Sequence, residues 1–446
     1  MNIDIILNRL RRKPRNEAIA FKDQGYSNAE ILDLVEQWQV FLRDKSIGSG
    51  SVLSIISDYS PDSIALVIAS LLNGNIVVPL CPAEGRSLEE YLHGARVRHV
   101  IRLADSAVVS RRKTTDPAQN NLLKNLVENH RPGLILFTSG SSGGAKAVVH
   151  DFEKFLSRYK RAGKALRTLC FMMFDHMAGI DTYFYCLFSG STAVLPTSRS
   201  PSGVCRLIEE QRIEVLPCSP TFMNLMLISG EYRKYDLSSL KIIVLGSERI
   251  TPNLLDRVTR AFDDVAVIQK YGITELGVPP SKTNCRDPSL IKFDQNHFES
   301  RITDGILHVK ARGAMLGYLD APFSMSGDAW FNTGDLAEAE GDYIRILGRE
   351  SSIVNVGGEK VNPTDVENVL MQVANVAEVE VYGEKNALVG EVVCARVRLV
   401  EQDDHRSLIT SIKRACAEKL ESHKRPVKIN ITKNNLHCSR FKKSVR

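Results

Sequence analysis

Seven successive positions, Thr138-Ser139-Gly140-Ser141-Ser142-Gly143-Gly144, hold only threonine, serine and glycine. The apolar run Leu134 to Phe137 leads into them, and Lys146 follows. A flexible Ser/Gly linker is usually longer and is not entered from a buried strand. Glycine lets the backbone turn tightly and brings its N–H groups close to a ligand. Hydroxyls add short donors, and lysine adds a point charge suited to phosphate oxygens. The stretch therefore constrains the fold around it: a strand must deliver the chain into a loop shaped to cradle a triphosphate. The common P-loop is excluded, because that pattern puts Ser or Thr directly after the lysine, and Ala147 stands there.

The flanking pattern agrees with a layered α/β fold. Val52 to Ser57 and Ile76 to Leu80 read as buried strands, and Pro61 to Leu72 between them as a helix that Gly74 ends. Such alternation implies parallel βαβ units. Lys113 to Arg131 is polar and reads as a connector. From 133 onward the order expected is strand, cradle loop, helix (Phe152 to Leu166), strand (Leu169 to Phe174), helix (Ile180 to Leu187) and strand (Thr192 to Leu195), and so on to Lys241–Leu245. Short runs with recurrent glycine over 295–347 predict a small β-rich subdomain. Beyond Gly348-Arg349, helices at Pro363 to Val373 and Leu408 to Leu420 and strands at Val379 to Gly383 and Glu391 to Val400 predict a compact α+β domain.

A chain of 446 residues is too long for one core, so two or three domains are expected. The net charge of +6 is mild and makes no case for nucleic acid. Nine cysteines are scattered with no C-x-x-C pair, which argues against a disulfide framework or a zinc site. That usage fits a reducing compartment, and a cytoplasmic protein is expected. No apolar run is long enough to span a bilayer. The N-terminus (Met1 to Arg15) is basic but has no signal-peptide core, and it runs directly into Glu17 to Phe21, so it reads as mature protein. Basic residues gather near the other end, at Lys424, Arg425, Lys428, Lys433, Arg440, Lys442, Lys443 and Arg446. They read either as a solvated tail or as a surface for an anionic partner.

Further motifs follow the loop in a telling order. They are Tyr271-Gly272-Ile273-Thr274-Glu275, Trp330-Phe331-Asn332-Thr333-Gly334-Asp335-Leu336, Gly348-Arg349 with Gly357-Gly358-Glu359-Lys360-Val361, and a closing Lys443. Together they resemble the signatures of the adenylate-forming (ANL) superfamily, and within it the acyl- and aryl-CoA synthetases (AMP-dependent synthetases and ligases). The resemblance covers nearly the whole chain. It implies a large N-terminal domain of mixed βα sheets with a small β-rich subdomain (1–350), then a small mobile α+β C-terminal domain (351–446). It also implies the activity: ATP and a small carboxylic acid give an acyl-adenylate and pyrophosphate. A thiol then takes the acyl group as a thioester, either CoA or the phosphopantetheine of a free-standing acidic acyl carrier protein. Transfer to an amine, and a silent binding homologue, are the remaining alternatives.

The resemblance assigns roles residue by residue. Thr138, Ser139, Gly140, Ser141, Ser142, Gly143 and Lys146 would cradle the β- and γ-phosphates. Ala145 and Ala147 replace the family's proline and glycine; both changes are small, and losing the proline should leave the loop slightly more mobile when empty. Glu275 would hold Mg²⁺, a hard oxygen for a hard ion. Thr274 would donate to the α-phosphate, and Tyr271, beside Gly272, would stack on adenine. Gly246, Ser247 and Glu248 follow a buried strand, where open α/β sheets bind ligands. Asp335 would accept from the two ribose hydroxyls, with Arg349 as a second contact. Gly357 and Gly358 would line a pantetheine channel. Lys443 would bridge carboxylate and α-phosphate, although Lys442 stands where the family has glycine, and Ser351-Ser352 replaces the charged hinge.

Acid recognition is expected around Phe174-Asp175-His176-Met177-Ala178-Gly179, with His176 as an aromatic gate near the reacting carboxylate. Asp175 offers a second reading, as the partner of a substrate amine. Asp181 and Thr182 on the next helix are candidates for the pocket. So are Met172, Met173, Phe222, Met223 and Met226, although scattered methionine is more often core filler.

Overall fold

A computed structural model of the protein describes residues 2–82, 87–103, 107–112, 120–139, 145–159, 163–296, 298–321, 330–401 and 405–437. Four sheets run through them. The first has seven strands in the order Ala266–Lys270, Ile242–Gly246, Val215–Cys218, Thr168–Leu169, Ala193–Val194, Glu17–Phe21 and Gln24–Ser27. All neighbours are parallel except the last two, which form a hairpin. Three of its helices begin the same way. Pro201–Gln211, Pro220–Ser229 and Pro252–Ala261 each open on proline behind a capping hydroxyl, Ser200, Ser219 or Thr251, that accepts a backbone N–H of the first turn. Proline suits the first helical position because its missing N–H has no partner there, and the hydroxyl satisfies one that would otherwise be orphaned.

The second sheet sets Val52–Ile56, Ile76–Leu80 and Gly133–Ser139 parallel, with His99–Leu103 beside the first of them. The helix Pro61–Leu72 is capped by a Ser60/Ser63 box and buried nearly all round. Its Ile64 and Leu66 join one core with Leu53 and Ile55 of this sheet and Ala18, Ile19 and Ala193 of the other. An all-apolar helix packs between two sheets because neither face needs water.

Two local expectations fail here. The cradle loop does not lead into a helix. It joins Gly133–Ser139 to the antiparallel strand Ala145–Asp151, paired from Gly133↔Asp151 to Ser139↔Ala145. Val148 and Val149 are β-branched and fully buried, and in this stretch a buried strand and a buried helix have the same apolar look. The helix that follows is only Phe152–Leu156, capped by Asp151. The polar connector, in turn, holds a helix, Asn121–Glu128, that buries Leu123 and Leu126.

The third sheet is antiparallel, with six strands from Ser281–Thr283 through Leu290–Phe293, Tyr343–Arg349, Phe331–Glu340 and Ile306–Ala311 to Phe298–Thr303. It is the β-rich subdomain, beginning earlier than the glycine pattern suggests. The fourth sheet contains Val376–Asn386 and Gly390–Leu399, with Lys428–Thr432 parallel to the latter. Helices Pro363–Leu370 and His405–Lys419 share its core through Val366, Leu370, Leu408 and Ile412.

Candidate active site

Parallel register brings three strand ends to one edge. Cys218 lies level with Leu245, and Gly246 with Lys270. The segments that leave these ends are Ser219 to Thr221, Ser247-Glu248 and Tyr271 to Glu275. They border a cleft of about 2520 Å³ whose opposite wall comes from Val379 to Gly383 of the fourth sheet. The Glu248 carboxylate ties the first two turns together, accepting from the Thr221 N–H at 3.1 Å and its hydroxyl at 2.7 Å. Ser247 adopts φ +73°, a conformation costly for a non-glycine residue and most often kept at functional sites. Gly272 is obligatory: a Cβ there would lie 2.9 Å from both the Gly277 carbonyl oxygen and the Val278 side chain.

Asp335 and Arg349 face each other across neighbouring antiparallel strands. Arg349 Nε lies 2.9 Å from Asp335 Oδ1, and Arg349 Nη1 donates to the Thr333 carbonyl at 2.7 Å. The Tyr271 hydroxyl donates to Asp335 Oδ2 at 2.6 Å. Asp335 is 5% exposed, just behind the wall formed by Thr333, Gly334 and Arg349. Burial raises its pKa, while Arg349 and Tyr271 pull it back. Each carboxylate oxygen has two lone pairs, so one remains on each for a ligand hydroxyl. Tyr271 borders the cleft and packs edge-on against Phe293.

Lys146 and Glu275 meet through a residue that sequence reasoning missed. Tyr318 pairs in register with Val148 at the sheet edge. Its hydroxyl donates to Glu275 Oε1 at 2.8 Å, and Lys146 Nζ lies 5.4 Å from its ring centroid. Glu275 Oε2 carries no hydrogen bond among the described residues. No group of three or more His, Cys, Asp or Glu residues able to hold a metal occurs among them either. A metal here would rest on one carboxylate and ligand phosphates, which is how Mg²⁺ is usually held, and Glu275 fits that use. His150 was also missed. It is buried on the strand that starts next to Lys146, and its Nε2–H donates to the Thr274 carbonyl at 2.8 Å. Burial and the Arg158 charge push its pKa down to about 3, against the Thr274 bond, so the ring is neutral. Neither residue belongs to a spaced pattern, so only the tertiary arrangement marks them.

On the acid side, His176 caps the helix Met177–Ser189, its Nδ1 accepting from the Ala178 N–H at 3.2 Å. His176, Asp181, Thr182 and Met172 line the cleft. Asp175 does not: it is buried, near Cys81. It sits in the turn just ahead of the helix Met177–Ser189, and its burial there leaves the substrate-amine reading without its anchor. Phe222, Met223 and Met226 are fully buried core residues rather than pocket lining, and Met173 packs against the core.

Comparison with known proteins decides the family. A family profile described as AMP-binding enzyme matches residues 7–292, and one described as AMP-binding enzyme C-terminal domain matches 365–440. The chain belongs to the AMP-binding enzyme family. One relative is a 3-[(3aS,4S,7aS)-7a-methyl-1,5-dioxo-octahydro-1H-inden-4-yl]propanoyl:CoA ligase of Rhodococcus jostii. It is 30% identical over 312 residues, 66% of this chain and 60% of that protein. The chain thus spans under two thirds of that relative's length. An indoleacetate–CoA ligase of Aromatoleum aromaticum is 25% identical over 446 aligned positions, 86% of this chain and 85% of its own. The crystal structure of an anthranilate CoA ligase with anthranoyl-AMP superposes with a TM-score of 0.80 over 97% of this chain and 93% of its own, at 19% identity, a likeness of fold.

In this AMP-binding enzyme the described residues of the C-terminal domain meet the large domain partly through polar contacts. Among them, Arg249 Nη1 reaches Asp365 at 3.0 Å, the Asn253 N–H donates to the Asn368 side-chain oxygen at 3.4 Å, and Asn224 donates to the Ala377 carbonyl. Leu436 and His437 line the cleft. Glu378 anchors them, accepting the Leu436 N–H at 2.9 Å and lying 2.5 Å from His437 Nδ1. Lys443 and Lys442 lie outside the described residues, as do Gly140, Ser141, Ser142 and Gly143. Of the basic run, Lys428 pairs with Glu384, Lys424 with Glu421, and Arg425 donates to the Leu420 carbonyl, so these three serve the domain itself. Gly357 and Gly358, at φ +61° and +94°, are not brought to the cleft. Gly358 borders a separate depression of about 670 Å³ with Asn355 and Val389. No helix among the described residues is long and apolar enough to cross a membrane, and the eight described cysteines are free.

Proposed function

We propose that the chain is an ATP-dependent, AMP-forming carboxylic acid–thiol ligase. The observation that carries this reading is convergence. Thr138, Lys146, Thr274, Glu275, Gly334 and Arg349 border one cleft although they come from widely separated stretches. One end offers a carboxylate prepared for paired hydroxyls, the other a cation and a carboxylate prepared for a metal–phosphate group. In the first half-reaction a substrate carboxylate oxygen attacks the α-phosphorus of ATP. The new O–P bond forms as the bond to pyrophosphate breaks. In the second, a thiol sulfur attacks the acyl carbon, the thiol proton is lost, and AMP leaves. The transfer is in-line and mostly electrostatic.

Within that scheme Asp335, backed by Tyr271 and Arg349, takes the ribose. Thr138, Ser139, the glycine-rich loop and Lys146 take the outer phosphates, and Thr274 the α-phosphate. Gly246, Ser247 and Glu248 border the adenine and acyl pocket, and His176 borders the reacting carboxylate. Glu275 would hold Mg²⁺, which neutralises charge on the leaving pyrophosphate. Lys443 follows the last described residue by six positions, a reach of about 20 Å when extended, so it can enter the cleft that His437 borders. CoA is the preferred thiol, in keeping with the CoA ligases among the relatives, and Gly357-Gly358 is the segment that a rotation of the C-terminal domain would bring to the channel.

Pyrophosphate exchange into ATP, run across a panel of carboxylic acids, tests the reading. Acid-dependent exchange, followed by acyl-CoA formation, is expected. ATP binding without exchange for any acid would favour a silent homologue, and adenylate formation without transfer to CoA or a carrier would overturn the thioester half.

A further inference from the structure

Past the nucleotide end, the cleft continues between the helix Met177–Ser189, the strand ends and the segment Val278 to Ser281. Ala178, Val244, Ile268 and Val278 give it apolar walls. Charged groups are set into this apolar surround. Lys270 ends its strand next to Tyr271, and its Nζ donates to the Ser281 carbonyl at 3.2 Å, its one hydrogen bond among the described residues. Asp181 accepts the Tyr159 hydroxyl at 2.7 Å, and the Arg158 guanidinium lies 3.7 Å from the same oxygen. Arg158 also donates to the Phe155 and Val278 carbonyls.

The charges do not balance. Among the described residues Arg158 and Lys270 share one carboxylate, Asp181, which leaves one positive charge over there. An ammonium has three donors, and Lys270 uses one. The Ser281 hydroxyl beside it is buried without a hydrogen bond among the described residues. Burial lowers the lysine pKa, and Asp181 works against that. A half-buried cation with unused donors is costly, so a ligand that supplies an acceptor there gains part of that difference. A simple monocarboxylic acid has no second charge to offer, because its carboxylate must face the α-phosphate. Asp181 follows His176 by five helical positions, about 7.5 Å of rise, which is room for a short chain or a ring between the two ends of an acid.

We propose that Lys270 is the specificity determinant of this pocket and selects dicarboxylic acids, holding the carboxylate remote from the reacting one. The inference rests on the adenylation reading for the reacting end only. Lys270 makes no contact with the bonds that form or break; it is a binding residue.

The test compares succinate, glutarate, adipate and pimelate with butyrate, pentanoate, hexanoate and heptanoate, using the full chain. Exchange kinetics and calorimetric binding are both measured, for wild type and for Lys270→Met, Lys270→Arg and Asp181→Asn. One charge-assisted hydrogen bond corresponds to about a tenfold to hundredfold preference. Wild type should prefer a diacid over its matched monoacid by that factor. Lys270→Met should erase the preference through KM, and Lys270→Arg should recover most of it. Asp181→Asn removes the competing carboxylate and should strengthen diacid binding, an outcome that a merely structural role does not give and that stands even if Lys270→Met fails to fold. Equal losses for both acid series in Lys270→Met, a wild-type preference for monoacids, or weaker diacid binding in Asp181→Asn each overturn the proposal. Diacid binding that needs Lys270 but never leads to exchange would uphold it and overturn adenylation. Exchange with monoacids alone would do the reverse.

Discussion

His150→Phe should invert the order of stability between neutral and mildly acidic pH. The substitution keeps a ring packed near Phe155, whose centroid lies 6.3 Å from that of His150, but removes the Nε2–H bond to the Thr274 carbonyl. A net hydrogen bond is worth about 1 kcal/mol, so at pH 7 the variant should be less stable by about that amount. Acidification changes the comparison. The folded-state pKa of His150 is depressed to about 3 from 6.5, so between those values the unfolded chain binds a proton that the folded chain refuses. Stability is therefore lost as pH falls through 6.5 toward 3. At 1.36 kcal/mol per unit, the 1.5 units from pH 6.5 to 5 remove about 2 kcal/mol from the wild type. The variant has no such group, and at pH 5 it should be more stable by about 1 kcal/mol. Urea midpoints measured for both proteins at pH 7 and pH 5 make the comparison, and groups common to both cancel. Parallel losses in the two proteins would refute the buried, neutral histidine. Because the same bond steadies the Thr274 carbonyl, pyrophosphate exchange at pH 7 should also fall, by about tenfold for a loss near 1.4 kcal/mol in the transition state.

Tyr318→Phe retains the ring near Lys146 but frees Glu275 Oε1, so the magnesium midpoint for exchange should rise by about tenfold, the usual cost of losing a group that orients a metal ligand; an unchanged midpoint would separate Glu275 from the metal. Lys443→Ala should abolish adenylation yet spare thioester formation from supplied acyl-AMP, while Lys442→Ala should do little to either. Loss of adenylation in Lys442→Ala instead would shift the tail alignment by one residue. For Glu378, burial opposes ionisation, but His437, Arg398 and the Leu436 N–H outweigh it and hold the pKa at about 2. Its contribution is complete above pH 4.5 and drains as pH falls toward 2. Thermal melts of Glu378→Gln should therefore lose part of the acid sensitivity of the wild type, and identical pH profiles would count against the clamp.

Much of the nucleotide end was legible in the chain itself, because its chemistry is local. A phosphate loop needs contiguous small residues, which is why the run Thr138 to Gly144 can be read as one from the chain alone. The proline-led helix start at Pro61 is likewise a short-range steric demand. Strand–helix alternation in the first half follows from apolar periodicity, and the β-rich segment follows from its short runs.

What the order of residues did not carry is which sequence-distant side chains come to share one site. Ala145–Asp151 is a strand because Gly133–Ser139 lies alongside it and both faces are covered, a condition that no window of sequence contains. That pairing is what sets His150 against Thr274 and Tyr318 between Lys146 and Glu275. Asp175 and Asp181 look alike as letters, six positions apart. A buried turn ahead of the helix holds one in the core, and a helix face turns the other into the cleft. Lys270 reads as an ordinary strand-end lysine until Asp181, Arg158 and Ser281, from three other segments, surround it. Propensity and spacing act over a few residues, whereas burial, charge balance and unmet hydrogen bonds are set by neighbours that only the folded chain supplies.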